Sequence, residues 1–154
     1  MRERIQKMKT IILYYSNHHG NTKKLVDAIQ ASDPENVEIL DVTTAGPKDL
    51  SGYDLIGVAS GIYAGNFGKP LLNYMSENLP AGKKVFILFT SAMNMASLSS
   101  SAKKVIEEKK CQAVGQYSCP GYNTFGPFKL IGGTAKGHPT KEELDAAVEF
   151  YKGL

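Results

Sequence analysis

The sequence predicts an α/β fold in which a five-stranded parallel sheet is covered by helices on both faces. Strand-length hydrophobic runs recur along the 154 residues, and turn signals and helix-like stretches lie between them. Apolar runs without polar alternation are typical of strands that are buried on both faces, as in a parallel sheet. Strands that alternate with helices indicate crossover connections and a layered architecture.

The elements can be placed in order along the chain. Strands are predicted at residues 10–15, 37–42, 53–59, 83–90 and 113–118, and helices at residues 21–31, 70–78, 98–110 and 140–151. In the first helix, Leu25 and Ile29 recur at helical spacing. Pro70 stands near the first position of the second helix, where a missing N–H is tolerated. Thr140 and Glu143 form a capping-box pattern at the start of the last helix.

Length and charge indicate one domain without a special surface character. The net charge is +3, but residues 1–9 hold four basic residues and one acidic residue, so the remainder carries 14 of each. We therefore expect a single domain at residues 8–154, preceded by a flexible extension at residues 1–7 that is not a nucleic-acid arm. No apolar run approaches the roughly 20 residues of a membrane-spanning helix, and no signal-peptide pattern is present. We expect a cytoplasmic monomer or weak dimer without nucleic-acid or membrane partners.

Metal binding and side-chain catalysis are not expected. Cys111 and Cys119 are too far apart for a Cys-x-x-Cys motif, and we expect both to be buried, reduced thiols. His18 and His19 are neighbours on a tight loop, where they fit N–H donors beside a phosphate better than ligands of one ion. His138 is interpreted as a loop or capping residue rather than a catalytic base.

The first candidate binding segment connects the first strand to the first helix. It consists of Ser16, Asn17, His18, His19, Gly20, Asn21 and Thr22. The first backbone N–H groups of a helix lack intrahelical partners, and the helix dipole there favours an anion. Gly20 permits close approach of a ligand to the backbone, so the segment predicts a phosphate cradle. The alternative is a polar helix cap that binds nothing.

The second candidate segment follows the third strand. It consists of Ser60, Gly61, Ile62, Tyr63, Ala64, Gly65 and Asn66. Glycines permit unusual backbone conformations and a peptide that can turn over, and Tyr63 can lie against a planar ring. The alternative is a glycine-rich loop with Tyr63 packed inward. Phe67, just beyond the segment, is interpreted as a core or helix-start contact.

The third candidate segment follows the fourth strand. It consists of Thr90, Ser91, Ala92, Met93 and Asn94. Ligands of open parallel sheets bind beyond the carboxyl ends of the strands, so the three segments together predict one flat, phosphorylated ligand. A dinucleotide is disfavoured because the Gly-x-Gly-x-x-Gly pattern is missing.

These motifs resemble the flavodoxin family. The run from Ile11 to Thr22 resembles the family's first strand and phosphate loop, and the runs Tyr53 to Tyr63 and Lys84 to Ser91 resemble its third and fourth strands with their ring-contacting loops. The resemblance covers residues 8–154. It implies a three-layer sandwich with strand order 2-1-3-4-5 and non-covalently bound flavin mononucleotide (FMN). It also implies that the first segment holds the phosphate and that the other two flank the isoalloxazine ring.

The function implied by this resemblance is electron transfer between redox partner proteins. Many electron-carrier flavodoxins are strongly acidic, whereas the body of this chain is neutral. The alternative is an FMN-dependent NAD(P)H or quinone-type oxidoreductase, which needs room above the ring. A signalling receiver domain would need acidic residues where Tyr15, Ser16, Ser60 and Gly61 stand. A flavin-free interaction module remains a further alternative.

Overall fold

A computed structural model describes residues 8–16, 20–91, 95–120 and 137–154. The strands are β1 (Thr10–Tyr15), β2 (Val37–Asp41), β3 (Leu55–Tyr63), β4 (Asn66–Phe67), β5 (Lys84–Ser91) and β6 (Gln112–Pro120). The helices are α1 (Asn21–Ser32), α2 (Lys69–Asn78), α3 (Ser100–Glu108) and α4 (Lys141–Lys152), and a 3₁₀ turn, Ala96–Ser99, precedes α3.

The five long strands form one parallel sheet in the order β2-β1-β3-β5-β6. This confirms the predicted fold class. The numbering differs from the expected 2-1-3-4-5 because β4, a strand of two residues, follows β3 and pairs with it antiparallel. Nothing in the hydrophobic pattern predicted β4.

Apolar clusters lie on both faces of the sheet. In β1, Ile11 and Leu13 point into a cluster shared with α2 and α3, while Ile12 and Tyr14 point into a cluster shared with α1 and α4. This alternation explains why β1 has no polar face: each side chain meets a helix layer. Full burial of one such Ile or Leu contributes about 1.5–3 kcal/mol.

Several element boundaries differ from the predicted ones, and two of the differences have identifiable reasons. β3 ends at Tyr63 rather than at residue 59, because backbone pairing with β4 prolongs it past the last apolar residue of the run. The predicted helix at residues 98–110 begins as a 3₁₀ turn and ends at Glu108, because Lys110 takes a left-handed φ of 58°.

The two cysteines differ in their surroundings. Cys119 is 4% exposed, and burial, followed by the nearby Glu143 carboxylate, raises the pKa of its thiol to about 12. Cys111 is partly exposed, and its Sγ donates to the Pro80 carbonyl oxygen at 3.1 Å. The expectation that both thiols are buried is therefore correct for Cys119 and wrong for Cys111, which follows the exposed end of α3.

Two kinds of feature, a membrane-spanning helix and a cluster of metal ligands, are absent from the described residues. Within them no helix has the length and apolar character that a bilayer crossing needs. Likewise, no group of three or more His, Cys, Asp or Glu side chains in these ranges could hold a metal ion. Residues 1–7, for which a flexible extension was predicted, lie outside the described part of the chain.

The predicted capping box of α4 is confirmed. The Thr140 hydroxyl accepts from the Glu143 N–H at 3.2 Å, and the Thr140 N–H donates to Glu143 Oε1 at 2.8 Å. His138 Nδ1 lies 2.5 Å from the same Glu143 oxygen, so His138 belongs to the helix cap, as expected from the sequence. Burial opposes ionisation of Glu143, but the bonds from Thr140 and His138 outweigh it and lower the pKa of this carboxyl.

Glu143→Gln should reduce the pH dependence of folding stability. Because the folded-state pKa of Glu143 is lowered, its contribution is present above the unfolded value of about 4.3 and is lost as pH falls through the folded value. At neutral pH the variant should lose about 1 kcal/mol. Urea unfolding between pH 7 and pH 3.5 measures both effects. The control is Glu142→Gln, an exposed carboxylate in the same helical turn, and equal acid sensitivity in the two variants would contradict the prediction.

Candidate functional site

Parallel pairing brings the carboxyl ends of the central strands to one edge of the sheet. Tyr15 at the end of β1 lies opposite Ser60 of β3, and Gly61 lies opposite Thr90 of β5. Thr90 in turn lies opposite Cys119 of β6. The described parts of the three candidate segments, which follow β1, overlap the end of β3 and include the end of β5, therefore lie at this edge.

The first segment has the features of an anion cradle where it is described. Gly20 is the N-cap of α1, with a left-handed φ of 64° and no side chain to cap the helix. A Cβ added at Gly20 would have no heavy atom of the described residues within 4 Å beyond its chain neighbours. The Ser16 Oγ accepts from the Lys23 N–H at 3.2 Å, and a hydroxyl that accepts a hydrogen bond still carries a proton that it can donate. The polar residues Asn21 and Thr22 are buried in the first turn of α1.

A buried hydrogen bond connects the first and third segments. The hydroxyls of Thr22 and Thr90 lie 2.9 Å apart, and the two residues are 1% and 4% exposed. One hydroxyl donates to the other, so the proton of the accepting hydroxyl remains free for another acceptor. The start of α1 and the end of β5 are thus held together through side chains that are 68 positions apart in the sequence.

The second segment is a β-hairpin rather than an irregular loop. Tyr63 of β3 pairs with Asn66 of β4, and the turn between them consists of Ala64 and Gly65, with φ of 52° and 81°. Two consecutive left-handed residues are typical of the tight turn whose twist matches that of a hairpin. Ala64 carries a Cβ in a region that side chains rarely adopt, so the tip of the hairpin is strained. Ala64, Gly65 and Asn66 are exposed.

Two tyrosines and two glycines pack at the base of this hairpin. The rings of Tyr15 and Tyr63 meet edge to face, with centroids 5.4 Å apart. A Cβ at Gly68 would lie 2.2 Å from the Tyr15 ring, and one at Gly61 would lie 3.1 Å from the Tyr63 hydroxyl oxygen. Gly61 does not have a positive φ, and a side chain there would require the Tyr63 ring to shift by a few tenths of an ångström. Ile62 lies against the apolar cluster on the α2 and α3 side.

The Ser60 hydroxyl links the two ends of the hairpin segment by hydrogen bonds. Its side chain is fully buried, and its hydroxyl donates to the Gly61 carbonyl oxygen at 2.6 Å and accepts from the Gly68 N–H at 3.0 Å. The hydroxyl thus bridges the two ends of the segment and serves to position the hairpin. The N–H of Phe67, next to Gly68, donates to Ser101 Oγ at 3.3 Å and joins the hairpin to α3. Phe67 itself is buried in the core, as the sequence indicated.

The third segment is described only in part. Thr90 is buried and Ser91 is partly exposed at the end of β5. Ala92, Met93 and Asn94 lie outside the described residues, as do Asn17, His18 and His19, so their predicted contacts stay predictions.

Tyr15 is not among the predicted site residues, although its ring contacts both Tyr63 and Gly68. The apolar run of β1 predicts it only as the last residue of a buried strand. Its position at the carboxyl end, directly before the polar segment that starts at Ser16, was the available signal.

Ser60→Ala should destabilise the protein by about 1–3 kcal/mol, because it leaves the buried Gly68 N–H without its acceptor. The decrease is measured as a lower midpoint of urea unfolding. Ser100→Ala is the matched control, since this exposed serine donates only to the Ser97 carbonyl oxygen and should change stability by less than about 0.5 kcal/mol. A Ser60→Ala variant as stable as the parent would show that the bridge contributes nothing.

The sequence comparisons agree with this architecture. The model of a family described as "Flavodoxin domain" matches residues 11–124. Over 149 residues the chain is 34% identical to an uncharacterized protein of Methanocaldococcus jannaschii, a match that covers 96% of this chain and 98% of that protein.

Solved structures share the fold at low sequence identity. A flavodoxin from the domain Archaea aligns with a TM-score of 0.67 and 18% identity, covering 95% of this chain and 98% of its own. A variant flavodoxin of Fusobacterium nucleatum bound to flavin mononucleotide aligns with a TM-score of 0.65 and 16% identity, covering 94% of each chain.

Proposed function

Since the chain belongs to the flavodoxin family, we propose that it binds FMN non-covalently at the carboxyl edge of its sheet and carries electrons between redox partner proteins. The observation that carries the proposal is the junction at this edge. There the N-terminus of α1, which has no side-chain cap at Gly20, is linked to the end of β5 by the Thr22–Thr90 hydrogen bond.

The phosphate of FMN would be held by the start of α1. Gly20 permits close approach, the first turn of α1 provides backbone N–H groups and a favourable dipole, and the Ser16 hydroxyl can donate. Asn21 and Thr22 complete the described part of this cradle, and Asn17, His18 and His19 are proposed to contribute from the segment between.

The isoalloxazine ring would lie between the hairpin and the end of β5. Gly61, Ile62, Tyr63, Ala64, Gly65 and Asn66 would flank one side of the ring. Thr90 and Ser91, with the proposed contributions of Ala92, Met93 and Asn94, would contact the other edge. Ser60 would act by positioning the hairpin, because its hydroxyl is hydrogen-bonded to Gly61 and Gly68.

When bound, FMN supplies a centre that accepts and releases one or two electrons. The protein's own contribution is to fix the ring, to exclude water and to set which backbone groups face it. This role requires no acid or nucleophile from a side chain, which is why electron carriage is preferred to turnover of NAD(P)H or a quinone.

A visible spectrum of the purified protein, recorded before and after FMN is added and during stepwise anaerobic reduction, tests the proposal. We expect flavin bands at one FMN per chain and two separable one-electron steps. A single two-electron step together with turnover of NAD(P)H and a quinone would favour the reductase. A protein that stays colourless and does not quench FMN fluorescence would refute the proposed function.

Gly20→Asp should weaken FMN binding about tenfold or more, because a carboxylate would face the phosphate in the cradle. Gly20→Asn matches the new side chain in size and tolerates a left-handed φ, so it isolates the effect of charge. Gly82→Asp places the same change at another open glycine with a positive φ, before β5 at the opposite edge of the sheet. Fluorescence titration gives the dissociation constants, and equal values for Gly20→Asp and Gly20→Asn would rule out a phosphate at this position.

A further inference from the structure

The Tyr15 side chain contacts both ends of the hairpin that β3 and β4 form. Its ring meets the Tyr63 ring edge to face, with centroids 5.4 Å apart, a spacing at which aromatic rings attract each other. The same ring lies against the backbone of Gly68, where a Cβ would overlap it. Gly68 has φ of −58° and ψ of 131°, a conformation open to any residue. The Tyr15 ring, and not the backbone conformation, therefore excludes a side chain at Gly68.

The hairpin depends on such support from its surroundings. β4 has only two residues, and a short two-stranded hairpin is marginally stable by itself. The left-handed φ of Ala64 at the tip is a strained conformation, which persists only where neighbouring contacts hold it. The hydrogen bonds of Ser60 and Phe67 hold the second end of the hairpin. The Tyr15 ring also packs against Tyr63, which stands directly before the strained turn.

Tyr15 stands at the boundary between the proposed phosphate contacts and the proposed ring contacts. Its backbone ends β1, one residue before Ser16. Its side chain is partly exposed and packs against the apolar cluster on the α2 and α3 side of the sheet. Helix α1 packs on the opposite face. A displacement of the Tyr15 ring should therefore move the hairpin and leave the start of α1 in place.

We propose that Tyr15 is a positioning residue for the flavin, whose ring fixes Tyr63 and the hairpin where they flank the isoalloxazine ring. This inference rests on the proposed function, which puts FMN at the same edge. A residue of this kind acts through the groups that face the cofactor, so its loss changes both the affinity for the flavin and the reduction potentials of the bound flavin. Both contacts of Tyr15 are made by its ring, so phenylalanine should replace it.

Two substitutions of Tyr15 test this role. Tyr15→Ala should weaken binding of FMN and of riboflavin by the same factor, about three- to tenfold, and should shift the reduction potentials. Tyr15→Phe should restore the parent values. Riboflavin lacks the phosphate, so equal factors locate the loss at the ring, whereas weaker binding of FMN alone would overturn the proposal. Unchanged potentials in Tyr15→Ala, with only a lower midpoint of urea unfolding, would show a purely structural role and overturn it as well.

A double-mutant cycle tests the contact with Gly68. Gly68→Ala should reproduce the effects of Tyr15→Ala, because the new methyl group displaces the ring. In the Tyr15→Ala background the same methyl group has room and should have little further effect, so the two substitutions should be strongly non-additive. Gly52→Ala is the control, since Gly52 has neither a positive φ nor a heavy atom within 4 Å of the added Cβ, beyond its chain neighbours, among the described residues. Additive effects would overturn the proposal.

The hairpin is also measured without flavin, by hydrogen exchange of backbone amides in the apoprotein. Exchange at residues 62–68 should be faster in Tyr15→Ala than in Tyr15→Phe, while the amides of β1 and β5 keep their protection. If the parent does not bind FMN but this difference appears, the proposed function fails while Tyr15 still fixes the hairpin. If the parent binds FMN and neither the exchange rates nor the potentials change, the positioning proposal fails alone.

Discussion

Parallel pairing of β1, β3 and β5 is the constraint on which the rest of the structure depends. Because all three strands run in one direction, their carboxyl ends lie at one edge, and Tyr15, Ser60 and Thr90 stand within one residue of the same level. The helices that follow must begin at that edge, so their N-terminal dipoles and unsatisfied N–H groups are directed to one place. An electropositive region at this edge is therefore a consequence of topology before any side chain contributes.

Buried hydroxyl groups fix the relative positions of the strand and helix ends at this edge. Ser60 bridges the two ends of the hairpin, and the pair Thr22 and Thr90 connects α1 to β5. A buried hydroxyl without a hydrogen-bond partner costs free energy, so breaking either of these bonds would destabilise the fold. The described groups at this edge are thus held by bonds within the protein, and for the proposed FMN this would lower the entropy lost on binding.

Most of the architecture could be predicted because hydrophobic period and capping chemistry are local. The five long strands, the four helices and the Thr140 capping box are all visible within short windows of sequence. The hairpin was not, since the pairing of Tyr63 with Asn66 uses backbone groups that leave no side-chain pattern. The Thr22–Thr90 bond was also invisible, because only the fold brings together residues 68 positions apart. The glycine-rich composition of the second segment predicted unusual backbone conformations, and the positive φ lies at Gly65 rather than at Gly61.

The distribution of charge carries information that net charge conceals. The chain beyond residue 9 has no net charge, which predicts no preference for acidic or basic partners. The first turns of the helices at the site nevertheless differ from one another in their charged residues. α4, which starts at the sheet's last strand, follows the usual preference for carboxylates in the first turn, while α1, α2 and α3 have none. At α1 a bound phosphate would offset the resulting positive potential.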